Sequence, residues 1–270
     1  FRYYLYVIGA NAFKGTALKE AVFDEAHTFG ENCFADIPTL EKVEMRRFGS
    51  DDSLSIFFGS ENINSIYLSG LTVLPDNFKC IEQFPHIRNF NSSVSAVPEY
   101  AFKGCSELTY YNFTYTESIG TEAFSGTAIT KLNGSMVTSI GAGAFKDCTN
   151  LGIVKLPLLT DIDLSVFENS EANITEIDLH GVSAITEEDA DTFNFSKFIG
   201  LKTVDLSSIT VLPARTFKSC PVLESVKLDK CTKICEEAFA YCTSLVDMKL
   251  NSVTSIGENA FYDCYSLTDV

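Results

Sequence analysis

His180 closes a short segment that also carries Glu176 and Asp178. An imidazole nitrogen beside two carboxylates is a set that suits a divalent metal ion or a relayed proton. The segment 175–179 reads as a strand, and on a strand these groups stay strung along one face. Without a further element closing over them they form a solvated acidic edge, so no metal site is expected here. The nine cysteines are the second set of reactive groups. A zinc site asks for C-x-x-C pairs with histidine partners, whereas Cys231 and Cys235 have the wrong gap and no histidine beside them. An odd count cannot pair completely within one chain. Cys105, Cys148, Cys220, Cys242 and Cys264 recur at one register position, and Cys33, Cys231 and Cys235 stand where equivalent segments carry Ala, Val or Ile, and Gly. They read as small buried hydrophobes. No nucleophile elbow, phosphate loop, metalloprotease helix or dinucleotide fingerprint is present. The sequence therefore predicts neither a catalytic residue nor a cofactor, and binding is favoured over catalysis.

The register that unites the cysteines is an internal repeat of about 22 residues. Its anchors are Leu18, Leu40, Ile63, Ile87, Leu108, Ile129, Leu151, Ile174, Leu201, Leu223, Leu245 and Leu267, with steps of 21 to 27 residues. The pattern within a step is L-x-x-V-x-L-x-x-V-x-x-I-G-x-x-A-F-x-x-C-x-x. Self-similarity at this period is the signature of a solenoid, in which each unit buries its apolar face only against its neighbours.

The V-x-L portion has the two-residue period of a half-buried strand. Segments 224–228 and 246–250 are expected to be short strands, and stacked copies to pair into one parallel sheet. Eleven steps at ~4.8 Å give a sheet about 53 Å long. The second half, I-G-x-x-A-F-x-x-C, returns the chain across the other face. Pro75, Pro98 and Pro213 replace the glycine in three copies, so the turn there suits proline rather than a positive φ. The A-F-x-x-C piece is expected to be one helical or 3₁₀ turn. A second ladder is aromatic: Phe13, Phe34, Phe78, Phe102, Phe124, Phe145, Phe167, Phe217, Phe239 and Phe261 share one position. Each ring can bury roughly 150–250 Å² and supplies core that one unit could not build alone. The rhythm blurs around residues 49–52 and at Phe57 and Phe58. The longest step contains the insertion 187–191 before Phe193 and Phe195, a loop on one face of the solenoid.

The outward side chains of the strands are where a partner would bind. The middle position of V-x-L gives Tyr67, Asn91, Asn112, Asn133, Lys155, Asp178, Asp205, Lys227 and Lys249 in successive units, after Val22 and Glu44. Tyr110 stands in the neighbouring column. The centre of this face is neutral and rich in amides, with Tyr67 and Tyr110 as candidate anchors, since tyrosine is favoured at interface hot spots. Toward the C-terminus acidic and basic residues alternate, and Asp205 beside Lys227 is positioned to pair across strands.

Composition narrows the partner. The formal charge is −16, and no basic cluster exceeds Arg46 and Arg47. Nucleic acid and anionic membrane surfaces are poor partners for such a chain. No apolar run approaches 18 residues, so no membrane insertion is expected in this segment. Continuous repeats leave no linker, so residues 1–270 read as a single domain. Both ends look open, which suggests a segment of a longer chain or a makeshift cover from residues 1–6. Five N-x-[ST] sequons, at Asn91, Asn112, Asn133, Asn173 and Asn194, are possible glycan acceptors in a secreted eukaryotic setting.

The pattern L-x-x-V-x-L followed by V-x-x-I-G-x-x-A-F-x-x-C resembles the leucine-rich repeats of the Treponema pallidum type, also called BspA-like repeats. Three full copies from Leu201 onward carry the resemblance best. The asparagine ladder of common leucine-rich repeats is missing, with Leu71, Val182, Ile209 and Val253 in its place and Cys231 in one copy. The resemblance implies a right-handed leucine-rich repeat solenoid of about twelve repeats, with a parallel sheet on one face and short turns on the other. It also implies a non-catalytic surface protein that adheres to a protein, host matrix included, or to a glycan. The expected location is the cell surface or outside the cell. The alternative is an intracellular scaffold for protein–protein interaction, which would suit a ladder of free thiols.

Overall fold

The computed structural model describes residues 5–49, 53–246 and 248–270. The chain winds into a parallel β-solenoid of about 11 turns with little helix. Among the described residues no helix is long and apolar enough to cross a membrane.

The V-x-L segments form the strands, and burial alternates as the pleat requires. In Lys42–Met45, Ser65–Leu68 and Asn89–Ser92 the second and fourth residues are buried and the others half-exposed. Their register is set by the core. Val43 lies beside Ile66 and Ile66 beside Phe90, and the outward residues Glu44, Tyr67 and Asn91 follow in line.

The strands do not make one continuous sheet. Glu20–Phe23, Lys42–Met45, Ser65–Leu68, Asn89–Ser92 and Tyr110–Tyr111 form one five-stranded sheet; Lys131–Asn133, Ile153–Lys155, Glu176–Asp178, Thr203–Asp205 and Ser225–Lys227 form another. The break has a local cause. Where a typical copy carries Val204 and Leu206, this copy carries Tyr111 and Phe113. Both rings enter the core, 4.7 Å apart between centroids, and both lie against Phe124 at 4.9 and 5.2 Å. The backbone then turns into a 3₁₀ helix, Phe113–Tyr115, capped by the Asn112 side chain, so the strand ends after two residues. Of the strand expected at 246–250, the described residues Val246, Met248, Lys249 and Leu250 lie outside any strand, while Asp247 lies outside the described residues. Val246 keeps ladder bonds on both sides, its N–H donating to the Glu224 carbonyl at 3.2 Å and its carbonyl accepting the Thr268 N–H at 3.3 Å.

The return half of most units is more ordered than a turn. Its S-I dipeptides are two-residue parallel strands, with Val97 beside Ile119 and Ile119 beside Ile140. Val211–Leu212, Lys233–Ile234 and Ser255–Ile256 repeat the arrangement. The glycine that follows does not take a positive φ. It is there for closeness: a Cβ on Gly141 would stand 2.4 Å from the Thr121 nitrogen one rung earlier. The expected 3₁₀ turn in A-F-x-x-C occurs at Leu54–Phe57 and Leu164–Phe167. In most other copies the segment is a run of turns with two left-handed residues four apart, as at Asn11 and Gly15, Glu122 and Gly126, or Glu237 and Tyr241. This alternation aims N–H groups at the next rung: Tyr100, Phe102 and Gly104 donate to the carbonyls of Thr121, Ala123 and Ser125 at 2.8–3.0 Å.

The aromatic ladder fills the interior. Phe102, Phe124 and Phe145 stack nearly parallel at 5.2 and 5.3 Å, and Phe195, Phe217, Phe239 and Phe261 do so at 4.9 to 5.4 Å. Phe57 stacks on Phe34 at 5.8 Å, so Phe57 and Phe195 belong to the ladder through both irregular copies. The cysteines do more than fill space. The thiols of Cys148, Cys220, Cys242 and Cys264 donate to the carbonyls of Phe124, Phe195, Phe217 and Phe239, each one rung earlier, at 3.0–3.3 Å. Ser60 and Ser170 take the same place and donate to Phe34 and Phe145 at 2.8 and 2.6 Å. Cys80, Cys105, Cys148, Cys220, Cys231, Cys235, Cys242 and Cys264 carry free thiols. Of the N-terminal cover proposed from sequence, residues 1–4 lie outside the described residues.

Candidate functional site

The outward strand columns are the candidate site, and the structure sorts the residues predicted for it into groups. Tyr67 and Asn91 align in the first sheet. Asn133, Lys155, Asp178, Asp205 and Lys227 align in the second, one per rung. Tyr110 sits beside Asn89 in the neighbouring column. Lys249 is exposed but carried on no strand.

Several of these side chains are already engaged. The Lys42 ammonium lies 5.8 Å from the centre of the Tyr67 ring, which is half-buried, so this tyrosine is a covered anchor. The Asn112 amide donates to the Asn91 side-chain oxygen at 3.0 Å and accepts from the Thr114 N–H at 3.2 Å. Lys155 pairs with Glu176 at 2.9 Å, and Lys227 with Asp205 at 2.9 Å. Burial pushes the Asp205 carboxyl up, but hydrogen bonds from Ser207 and Lys227 outweigh it and leave it below its ordinary value. Arg46 and Arg47, the largest basic cluster in the sequence, are paired with Asp24 and Glu25 at 3.2 and 3.1 Å.

The histidine cluster is arranged differently from its sequence spacing. His180 Nδ1 meets Asp178 Oδ1 at 2.8 Å, and the third group within reach is Asp205, on the next rung. Glu176 instead turns to Lys155. The ligand atoms of Asp178, His180 and Asp205 lie within 4.8 Å of one another, with the Lys227 ammonium already on Asp205.

The break between the sheets opens a notch on this face. It has a volume of about 160 Å³ and is lined by Thr109–Thr114 in sequence order and by Thr130, Lys131 and Asn133. Its walls include backbone that pairs in the other rungs. The carbonyls of Lys19, Glu41, Asn64 and Arg88 each accept N–H groups from the next rung, as do those of Thr130, Gly152, Thr175 and Lys202. Among the described residues the Thr109 carbonyl accepts none, and the Thr130 N–H that would serve it has no acceptor. At the back the same rungs stay joined, with Thr138 and Gly141 donating to Glu117 and Ile119 at 2.8 Å. The sequence points to Tyr110, Asn112 and Asn133 as binding residues in this notch and to Lys131 only as an outward residue of the neighbouring column; Thr109 and Thr130 were missed. The pair of aromatics at Tyr111 and Phe113, in place of a β-branched residue and a leucine, was the signal that marked the disrupted rung.

A family model described as "BspA type Leucine rich repeat region" matches the chain in 6 copies, over residues 1–83, 72–194 and 188–270. No curated protein sequence matches. Among solved structures, a leucine rich cell surface protein from Faecalibacterium prausnitzii is 20% identical, covering 98% of this chain and 82% of its own, with a TM-score of 0.36. A leucine-rich repeat protein from Bacteroides ovatus is 19% identical over 98% of this chain and 81% of its own, with a TM-score of 0.38. One from Eubacterium ventriosum is 18% identical over 98% of this chain and 82% of its own, with a TM-score of 0.36.

Proposed function

We propose that this chain, which belongs to the BspA-type leucine-rich repeat family, is a non-catalytic interaction module that works at the cell surface and holds a protein or glycan along its strand face. Residues 1–270 act in this reading as one domain. The observation that carries it is the register of Asn133, Lys155, Asp178, Asp205 and Lys227, one polar side chain per rung on a rigid sheet. Such a row meets an extended partner at a fixed spacing of ~4.8 Å. The acidic net charge and the paired arginines favour neither nucleic acid nor anionic lipid. Adhesion to host matrix protein is the specific form of the proposal.

The test is antibody labelling of intact source cells, before and after external protease, followed by binding of the purified chain to matrix proteins and glycans. Labelling that protease removes, and binding that charge reversal at Lys155 and Lys227 weakens, support the reading. Labelling only after permeabilisation overturns the surface location. Binding indifferent to every substitution on the strand face overturns the choice of face.

A further inference from the structure

We infer that the notch between Tyr110 and Lys131 is a subsite for one neutral pyranose unit of a glycan, an inference that rests on the strand face being the binding face. The lining chemistry selects the ligand class. Tyr110 is 47% exposed and brings an aromatic ring to the lining of the notch. The apolar C–H face of a sugar ring is a natural cover for such a surface, which carries a negative quadrupole. Around it stand the Asn133 amide, the Thr109 and Thr130 hydroxyls, and the unpaired Thr109 carbonyl and Thr130 N–H. A sugar ring carries several hydroxyls that both donate and accept, so a sugar can serve the carbonyl and the N–H that the broken ladder leaves without a protein partner. It would replace water there without leaving either group unpaired.

Other ligand classes fit less well. No Asp, Glu, His or Cys lines the notch, so it offers a metal ion no side-chain ligand beyond neutral oxygens. An inserted β-strand needs roughly twice the ~4.8 Å strand spacing between its neighbours. The rungs remain hydrogen-bonded at the back through Thr138 and Gly141, which limits how far the front can open. Lys131 is the one cationic side chain in the lining, set in a chain of net charge −16, and the field of the whole disfavours a polyanion.

The experiment is a glycan array of neutral and acidic oligosaccharides probed with the full chain, followed by calorimetric titration of the best-bound sugar. Tyr110→Ala, Tyr110→Phe, Lys131→Ala and Lys230→Ala are compared, the last off the strand face; all four change exposed side chains. The expected result is a neutral glycan whose affinity falls at least tenfold in Tyr110→Ala and less than threefold in Tyr110→Phe, Lys131→Ala and Lys230→Ala. A sugar bound equally well by Tyr110→Ala overturns the notch as its site. Selection of acidic glycans with loss of binding in Lys131→Ala overturns the neutral class. A protein partner bound along the strand face with no glycan bound overturns the subsite and leaves the interaction module standing. No ligand of either kind on the face removes both.

Discussion

The thiol of Cys242 donates to the carbonyl oxygen of Phe217, one rung earlier, at 3.0 Å. That carbonyl also accepts the Cys220 N–H at 3.1 Å, so the thiol is its second partner and the tie between rungs. Cys242→Ala removes the tie and leaves a small void, and is expected to cost about 1–2 kcal/mol. Cys242→Ser keeps a donor, as Ser170 does naturally, and is expected to cost less than about 1 kcal/mol. Urea unfolding of both variants checks the order; equal losses would mean that volume alone matters.

The same burial sets an alkaline limit. Burial pushes the Cys220 thiol up to about 12, and that of Cys242 higher still with a contribution from the neighbouring thiols Cys220 and Cys264. In the unfolded chain the thiol ionises near its ordinary value of 9.0. A group whose folded value is raised contributes stability that is complete below the unfolded value and lost as pH rises through the folded one. Stability should therefore fall between about pH 9 and 12, and Cys220→Ser should flatten that fall. Thermal melts across this range would contradict the assignment if the two chains lost stability in parallel.

Alkylation of the folded protein reads the same ladder by access. Cys264 is the only cysteine that is not buried, so it should react first at pH 8, with the others released only by denaturant. Peptide mapping after a short iodoacetamide pulse gives the order.

Close approach between rungs predicts a contrast between two glycines. A Cβ at Gly141 would sit 2.4 Å from backbone, whereas at Gly152 the nearest atoms are 3.8 Å away. Gly141→Ala should cost about 1–3 kcal/mol by overpacking. Gly152→Ala should be neutral or slightly stabilising, since alanine narrows the unfolded ensemble. A shift in unfolding midpoint as large for Gly152→Ala as for Gly141→Ala would refute the packing argument.

The Asp205–Lys227 pair is a weaker fastening. Its folded carboxyl value is lowered, so its contribution is present above the unfolded value and lost as pH falls through the folded one. Lys227→Ala should raise the Asp205 titration midpoint, followed by NMR, and cost less than about 1 kcal/mol, because the ammonium is exposed. An unmoved midpoint would assign the lowering to Ser207 alone.

Much of this architecture can be read from residue spacing. The recurring leucine, V-x-L and phenylalanine define rung, strand and core, because a solenoid repeats the same short-range problem in every unit. Phe57 and Phe195 escaped the listing of the aromatic ladder, although each precedes its anchor, Ile63 and Leu201, by the six residues that separate Phe34 from Leu40. The S-I strands escaped it too, since two residues are too few to display a period. On the outward strand face, the column of Asn133 to Lys227 follows from the repeat, but the covering of Tyr67 by Lys42 does not. The two residues are offset along adjacent strands, and only side-chain conformation brings them together.

The stack of parallel rungs, its inward ladders and its polar outward face follow from residue spacing, because apolar side chains recurring at a fixed period are buried by stacking one unit on the next. The place where that face is broken depends on packing between rungs. Tyr111 and Phe113 must fit against Phe124 in three dimensions, and the front of the rung yields while its hydrogen-bonded back holds. The tertiary structure likewise decided that the cysteines act as donors, because their acceptors are carbonyls more than 20 residues away in the chain.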